Sequence, residues 1–410
     1  MDQSTRHVLI LGGGYAGVMA AVRLAGKSRR RNSCVTLVNA IDQFVERPKL
    51  HEKATGARLR EKPLTRMLEG TGAKFVQGWA AELDPGARRV KVVTESGETW
   101  LPYDDLIIAL GSRTDRDLIP GVDEHTYTLD PYGRFSTDAL KARLASFGDE
   151  PFQAVVVGGG ATGIEAAAQI KAACPETSVR LLTRGEAGAF KGESIRRHIL
   201  EALSEQSIHV REDAAVVAVD ARSLHLSAEE LPADIVIWAG GFTASPLARQ
   251  AGLQVNRQNQ VLIDEYLRSL SHPEIYAIGD AACPVEEPGA PWRMSLFTAL
   301  VSGAQAADNI IAKHEGRQPG SLSYAWYGQA IALGPADAVG FASYPADAPW
   351  RLVFRRKAAV RLRSFFIWYL GGVLEIERRL PGFFFWNGKR RFRKSKLRAI
   401  KAQPQDQTNY

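Results

Sequence analysis

The sequence predicts an α/β fold containing two Rossmann-like dinucleotide-binding domains, and three observations carry that prediction. First, VLILGGGYAGVMAAVRL, Val8 to Leu24, joins a short apolar strand to a helix-compatible pattern through three consecutive glycines. Second, the same plan recurs at AVVVGGGATGIEAAAQI, Ala154 to Ile170. Third, each copy is followed at a distance by an apolar run that ends in glycine, DLIIALGS from Asp105 to Ser112 and DIVIWAGG from Asp234 to Gly241. Strand, glycine turn and helix in that order form a phosphate-binding unit, and its repetition points to an internal duplication.

Composition sets the bounds. A chain of 410 residues with 45% hydrophobic and 24% charged content is globular and too long for one simple core, so two or three domains are expected. Cys34, Cys174 and Cys283 are too far apart for a local Cys-x-x-Cys pair or a zinc cluster, which predicts no metal site and fits a reducing, cytoplasmic setting. The leader MDQSTRH is polar and the apolar run after it stops at glycine, so no signal peptide is expected, and Asp2 argues against N-myristoylation. The net charge of +7 hides an asymmetry: Arg351 to Tyr410 holds 16 Lys+Arg against 3 acids, while the rest is net acidic. A block of this kind marks a partner surface.

Taken in order, Gly12, Gly14 and Gly17 fill the G-x-G-x-x-G positions, with Gly13 and Ala16 in the same turn. The first glycine permits the turn, the second a close pyrophosphate, the third tight packing of helix on strand, and the helix N-terminus adds free N–H donors. Cys34 to Asn39 reads as the second strand, placing Asn39 where a ribose ligand is expected. An acid is usual there; the amide still bonds hydroxyls but carries no charge to repel a phosphate. Val90 to Thr94 and Thr99 to Leu101 flank the turn-rich Glu95 to Glu98 and read as a β-hairpin. Asp105 to Ser112 has the composition of a buried parallel strand returning to the sheet opened by Val8. In the second copy Gly158, Gly160 and Gly163, with Thr162, repeat the turn, and Glu165 follows. A strand from Glu274 to Ile278 then runs into Gly279-Asp280, setting Asp280 at a strand's carboxyl end, where ligands sit in open α/β sheets. Taken alone, Gly-Asp is also an ordinary turn pair.

Together these residues resemble the two-dinucleotide-binding-domain flavoproteins of the pyridine nucleotide-disulfide oxidoreductase superfamily, most nearly type II NADH dehydrogenases (NADH:quinone oxidoreductases), over roughly Arg6 to Lys313. The resemblance implies nested domains: an FAD domain at 1–120 and 245–325, an NAD(P)H domain at 121–244 and a C-terminal basic, aromatic segment at 326–410. It implies FAD contacts at Gly12, Gly13, Gly14, Ala16, Gly17, Asn39, Arg47, Ala109, Gly111, Gly279 and Asp280. Nicotinamide-cofactor contacts follow at Gly158, Gly160, Thr162, Gly163, Arg184 and Gly241, with Ile119-Pro120-Gly121 as a linker mark. Glu165 matches the family glutamate that faces nicotinamide and flavin and is a catalytic candidate; the alternative is a solvated first-turn acid favoured by the helix dipole.

Three departures shape the expected function. Asp42 to Arg60 lacks the redox-active cysteine pair of the disulfide reductases, so electrons are expected to leave the flavin directly for an external acceptor. That segment carries Glu46, Arg47, Lys49, His51 and Lys53 and, in the family layout, passes the isoalloxazine. There a cation stabilises the anionic reduced ring and His51 relays a proton, which makes His51 and Lys53 catalytic candidates. A solvated basic helix start is the competing reading. Relatives of the apoptosis-inducing-factor type carry R-P-x-L-S-K, but Glu52 occupies the lysine position, with Lys53 one residue late. Quinone-reducing members carry A-Q-x-x-x-Q-x-G; Gly303, Ala307 and Asn309 align, whereas Phe297 and Val301 replace both glutamines and predict an apolar acceptor wall. Finally, the strand Val179 to Thr183 ends in Thr183-Arg184 without the acid of NADH-selective sites, so NADPH is expected to be accepted at least as well as NADH.

The basic end is not a membrane span: its longest uncharged run, Ser364 to Leu374, is eleven residues, against the ~20 a bilayer core requires. On a helical wheel Val360 to Leu370 is apolar all round, which predicts partial burial against the body. Phe383 to Trp386 followed by Lys389 to Lys396 suits an anionic lipid interface. An acidic electron carrier such as a ferredoxin, nucleic acid, or plain solvation compete for the tail; nucleic acid is not expected. The expected protein is a cytoplasmic, peripheral enzyme on the inner face of the cell membrane, passing electrons from NAD(P)H through FAD to a quinone-like acceptor. A homodimer is compatible with this reading. A tailoring flavoenzyme for a specific aromatic metabolite and a redox-sensing binding protein are the alternatives.

Overall fold

The computed structural model describes residues 5–28, 33–189, 192–285, 293–344 and 349–386. A five-stranded parallel sheet organises the first domain, in the order Ile275–Ala277, Asp105–Ile108, Arg6–Leu11, Ser33–Asn39, Lys74–Gln77. Val8 to Leu11 and Asp105 to Ile108 are all buried, as expected of central parallel strands covered on both faces. The edge strand Ile275–Ala277 arrives from beyond the second domain and pairs Ile275 with Leu106, so the second domain is an insertion in the first.

The inserted domain repeats the plan with four parallel strands, His209–Arg211, Ser178–Leu182, Gln153–Val157 and Ile235–Trp238. The two segments that cross between domains pair antiparallel, Ser112–Thr114 with Phe242–Ala244. Each domain also carries a three-stranded antiparallel sheet. The expected hairpin, Arg89–Thr94 with Gly97–Pro102, is present and gains Trp79–Asp84 as a third strand. Its counterpart is Val216–Val219, Ser223–Leu226 and Glu229–Pro232.

After the long helix Leu296–His314, the chain forms a third antiparallel sheet, Tyr327–Ala332, Ala338–Ser343 and Pro349–Arg355, and then the helix Arg356–Arg379. Ile331, Leu333, Val339 and Phe341 of this sheet join the second domain's core, whereas Val373, Leu374 and Phe384 join the first domain's core. The C-terminal region therefore braces the two domains against each other.

The helix departs from the all-round pattern expected for Val360 to Leu370. Ala359, Val373, Leu374 and Glu377 are buried, but Phe365, Trp368 and Tyr369 are 54%, 72% and 42% exposed and fall on one side of the helix. Of the aromatic run after it, Phe383 and Phe385 face outward while Phe384 is buried and Trp386 donates its indole N–H to Ser323 O at 2.8 Å. Lys389 to Lys396 lie outside the described residues. Among the described residues no helix is long and apolar enough to cross a membrane.

Candidate active site

The two glycine turns are built alike, atom for atom. A Cβ on Gly12, at φ +106°, would meet Ala109 O at 2.3 Å, and one on Gly17 would meet Gly12 O at 1.9 Å. In the second copy, Gly158 at φ +131° would meet Ala239 O at 2.6 Å and Gly163 would meet Gly158 O at 1.9 Å. The first and third glycines thus let the helix seat on its strand. The middle ones differ: a Cβ on Gly14 or Gly160 has nothing within 4 Å, so both face open space at a helix N-terminus. This is the shape a pyrophosphate needs, and both cradles fit a dinucleotide.

Asn39 has a structural reason to be an amide. Its Oδ1 accepts from Gly13 N at 2.9 Å while its Nδ2 donates to Ile41 O at 2.9 Å, and a carboxylate has no donor for the second bond. Tyr132 of the inserted domain also hydrogen-bonds the Asn39 side chain. Thr183 takes the matching place in the second copy, its Oγ1 lying 2.6 Å from where a Gly159 Cβ would stand. Asp280 accepts from Ser112 Oγ at 2.7 Å, and Gly279 N donates to Ser302 Oγ at 2.9 Å. Burial pushes the Asp280 carboxyl up, opposed by the charge of Arg47 and the Ser112 bond. Arg47 lies 3.7 Å from Asp130 of the inserted domain, so it stands where the domains meet beside Asp280.

The chemistry-bearing groups gather at that junction. Glu165, on the helix Ala161–Ala173 that opens at the second glycine turn, accepts from Ala332 N at 3.0 Å. His51, on the short helix Leu50–Ala54 of the first domain, brings Nδ1 to 3.8 Å from Glu165 Oε2. Arg363, from the C-terminal helix, donates to Pro48 O at 2.9 Å, Glu52 Oε1 at 2.9 Å and His51 Nε2 at 3.2 Å, and its Nε lies 3.9 Å from Glu165 Oε1. Because an arginine only donates, His51 Nε2 must accept, which leaves the imidazole proton on Nδ1, facing Glu165.

Burial, the Arg363 charge, and against them Glu52, set the His51 pKa down at about 4. His51 is therefore neutral at pH 7, and its approach to Glu165 is a dipolar contact rather than an ion pair. Glu165 moves the other way: burial raises it to about 7, with Arg363 and the Ala332 N–H holding it back. A carboxyl that titrates at neutral pH beside a fixed imidazole N–H is suited to give and take a proton.

The other expected site residues are distributed around this cluster. Lys53 pairs with Asp138 of the inserted domain at 2.6 Å and stands outside it. Phe297 is half-buried and packs edge-on to Tyr324, centroids 5.6 Å apart, and stacks against Tyr327 at 6.2 Å. Val301, 0% exposed, belongs to the first domain's core rather than to an open wall. Gly111 and Gly241, each with positive φ, stand just before the crossing strands Ser112–Thr114 and Phe242–Ala244, and Ala109 closes against Gly12. Arg184 is exposed just past the strand Ser178–Leu182. The nearby acid Glu212 accepts from Ala187 N and pairs with Arg196 at 2.7 Å, so its charge is compensated. Sequence reasoning did not single out Arg363, Tyr132, Tyr324 or Tyr327. Arg363 had a signal: Ala359, Arg363, Phe366, Leu370, Val373 and Glu377 recur at helical spacing, a row distinct from the exposed one.

Two nested dinucleotide cradles with a titratable cluster between them define a nicotinamide-linked oxidoreductase with a second bound dinucleotide. The chain belongs to the pyridine nucleotide-disulphide oxidoreductase family, which it matches over residues 6–307. The likeness read from its motifs thus holds. It is 30% identical over 356 residues to demethylphylloquinone reductase NdbB of Synechocystis, covering 83% of this chain and 87% of that one. It is 26% identical to the type II NADH:quinone oxidoreductase of Haemophilus influenzae, covering 82% and 86%. Among solved structures, NDH2 of Plasmodium falciparum in complex with NADH superposes with a TM-score of 0.75 at 16% identity, over 92% of this chain and 98% of that one. The sulfide:quinone oxidoreductase of Aquifex aeolicus does so at 0.75 and 18%, over 92% and 93%.

Proposed function

We propose that this protein is an FAD-dependent NAD(P)H dehydrogenase that delivers electrons to a quinone-type acceptor while resting on an anionic membrane surface. The observation that carries the reading is the junction itself. The helix of the second cradle ends its first turn at Glu165, and Glu165 meets His51 of the first domain and Arg363 of the C-terminal helix in one group that is buried at His51 and partly buried at the other two. The relatives named as quinone reductases support the acceptor class.

In this reading Gly12, Gly14 and Gly17, with Gly279 and Asp280, hold FAD, and Gly158, Gly160 and Gly163 hold the nicotinamide dinucleotide. FAD supplies a two-electron carrier that takes hydride from the nicotinamide. The protein's part is positioning and proton management. Glu165 exchanges a proton near neutral pH, His51 presents Nδ1–H to it, and Arg363 fixes the imidazole and favours the ionised form of Glu165. Phe297 with Tyr324 and Tyr327 offers flat aromatic surface to a planar acceptor, in place of the glutamine contacts the chain lacks.

Arg184, the absence of an acid at Thr183, and the compensation of Glu212 favour use of NADPH at least as readily as NADH. The exposed row Phe365, Trp368 and Tyr369, flanked by Arg361 and Arg379, supports lipid contact. One experiment tests the core of the proposal: anaerobic reduction of the FAD-loaded protein by NADH and by NADPH, then reoxidation with a panel of quinones. Fast reduction by both and fast reoxidation by at least one quinone is expected. Slow reoxidation by every quinone would turn the assignment to a tailoring enzyme or a sensor, and a clear preference for NADH would remove the NADPH reading. Flotation of the protein with anionic vesicles tests the membrane reading separately.

A further inference from the structure

The helix Arg356–Arg379 is fastened to the body at its ends, and its middle rests there on partly buried residues. At the start, Arg356 donates to both Glu205 carboxylate oxygens at 2.7 and 2.8 Å and approaches Asp337 to 3.3 Å. At the end, Glu377, 0% exposed, accepts from Arg23 Nε at 2.6 Å, Gly382 N at 2.6 Å and Phe384 N at 2.7 Å, beside the buried Val373 and Leu374. Between Ala359 and Val373 no residue is fully buried. Among the described residues, the side chains of this middle span reach polar groups of the body through Arg363. Its apolar contacts with the body come from partly buried residues, Leu362 and Phe366 against the sheet at Gly340 and Gly328 and Leu370 against the first domain's core.

The two faces of that span serve different surroundings. Residues two apart on a helix point about 200° apart, so Arg363 faces the body while Phe365 faces out. Phe365, Trp368 and Tyr369 form one outward cluster, with Phe365 centroids 6.0 and 6.2 Å from the other two, and Ile376 and Leu380 continue it. Exposed Lys357 and Arg361 border its start, Glu375 at its far end is paired with both Arg378 and Arg379, and the chain from Arg351 onward is strongly basic. Charge and apolarity together fit an anionic lipid surface.

We infer that this helix couples lipid docking to the active site: a bilayer that takes up the aromatic face holds the middle of the helix down, and with it Arg363 against Pro48, His51 and Glu52. The inference rests on the membrane reading proposed above. A segment with few buried contacts opens at lower free energy than the body it lies on. Lipid that binds only the seated helix shifts that equilibrium by mass action, and the fraction of enzyme with a complete Glu165, His51 and Arg363 cluster rises accordingly. Arg363 acts here as a positioning residue.

The test uses the full-length, FAD-loaded protein under anaerobic conditions, reduced by NADH in a single turnover without acceptor. Phosphatidylglycerol-containing vesicles are present or absent, and flotation is measured on the same samples. The wild-type protein is expected to float and to be reduced several-fold faster with vesicles, with slower amide hydrogen exchange across 360–372. Arg363→Met is expected to float but to show no acceleration, Arg363→Lys to recover part of it, and Trp368→Ser/Tyr369→Ser to lose flotation and acceleration together. Flotation of the wild type with an unchanged rate overturns the coupling and leaves the membrane reading standing, as does acceleration that survives in Arg363→Met. Failure to float removes the membrane reading and the coupling with it. A rate that rises with protein concentration in the absence of lipid assigns the face to a second copy of the chain and also overturns the inference.

Discussion

Replacing Arg363 by methionine isolates one charge whose effect on the active site can be calculated in sign and size. Arg363 Nε stands 3.9 Å from Glu165 Oε1. At that separation a unit charge is worth about 4 kcal/mol at an effective dielectric of 20 and about 1 kcal/mol at that of water. At roughly 1.4 kcal/mol per unit, its loss raises the Glu165 pKa by about one to three units. Glu165, set at about 7 by burial against the pull of Arg363, would then titrate between about 8 and 10. His51, held at about 4 by burial first and Arg363 second, rises toward its ordinary value but stays below it, because the burial remains. Methionine keeps the apolar stem of the side chain, and Glu52, 30% exposed, is left with solvent to receive its charge. The assay is the rate of anaerobic flavin reduction by NADH as a function of pH. An inflection near 7 in the wild type should move to the alkaline side in Arg363→Met and stay near 7 in Arg363→Lys, which keeps the charge. An inflection at the same pH in Arg363→Met, or one moved to lower pH, refutes the electrostatic account of the cluster.

Three further outcomes follow from the same geometry. Gly14→Ala should fold, since its Cβ meets nothing within 4 Å, but bind FAD weakly; Gly17→Ala, which meets Gly12 O at 1.9 Å, should fail to fold, and equal FAD titration of Gly14→Ala and wild type would contradict the cradle. Glu165 binds its proton more tightly folded, at about 7, than unfolded, at about 4.3. Its ionisation therefore costs stability progressively as pH rises from about 4 to above 7, reaching about 4 kcal/mol. Glu165→Gln should match the wild type near pH 4 and exceed it in Tm above pH 7, and parallel Tm curves across that range would sink the assignment. Glu377→Leu leaves Arg23, 2% exposed, without its buried carboxylate and orphans Gly382 N and Phe384 N, a loss of about 3–5 kcal/mol by thermal unfolding, part of which Arg23→Leu/Glu377→Leu should recover.

What the sequence disclosed was whatever depends on neighbours in the chain. A phosphate turn is a local object: Gly12, Gly14 and Gly17 do their work within six residues, and the identical steric relations at Gly158, Gly160 and Gly163 bear out the duplication read from spacing. The returning strand before Gly279-Asp280 was legible for the same reason, its apolar run ending at the site it serves. The junction was only half legible. His51 and Glu165 were named separately, but their meeting depends on how one domain is set on the other. Arg363 lies 311 residues from Glu52, in a stretch whose many cations hide the one that points inward. Val301 fails as an exposed wall because periodicity gives the face of a helix, not which neighbour covers it, and here the first domain's core does. The mixed aromatic pattern of Val360 to Leu370 likewise became two faces only once the body was there to bury one of them.

The two cradles share their steric plan, but their helices differ in how deeply they are packed, and that difference supports the occupants proposed above. The first helix, Tyr15–Ser28, has twelve of its fourteen residues buried, whereas Ala161–Ala173 has six of thirteen. The cause is what packs outside them. Leu296–His314 crosses the first helix so closely that a Cβ on Gly303 would stand 2.4 Å from Ala16 O. Arg23, near that helix's far end, is then locked by Glu377, Asp308 and the Phe384 carbonyl. In the second copy Gly158, Gly159 and Gly160 remain half-exposed, and the strand Tyr327–Ala332 and the short helix Leu50–Ala54 approach the helix at Glu165 and Gln169. A ligand held on a rigidly packed element is released more rarely than one held on an element with fewer buried contacts. In the function proposed above, the more firmly packed cradle therefore suits a resident FAD and the other a nicotinamide substrate that must leave each turn. The C-terminal helix reaches both halves of the duplication, holding the first helix through Glu377 on Arg23 and meeting Glu165 of the second through Arg363.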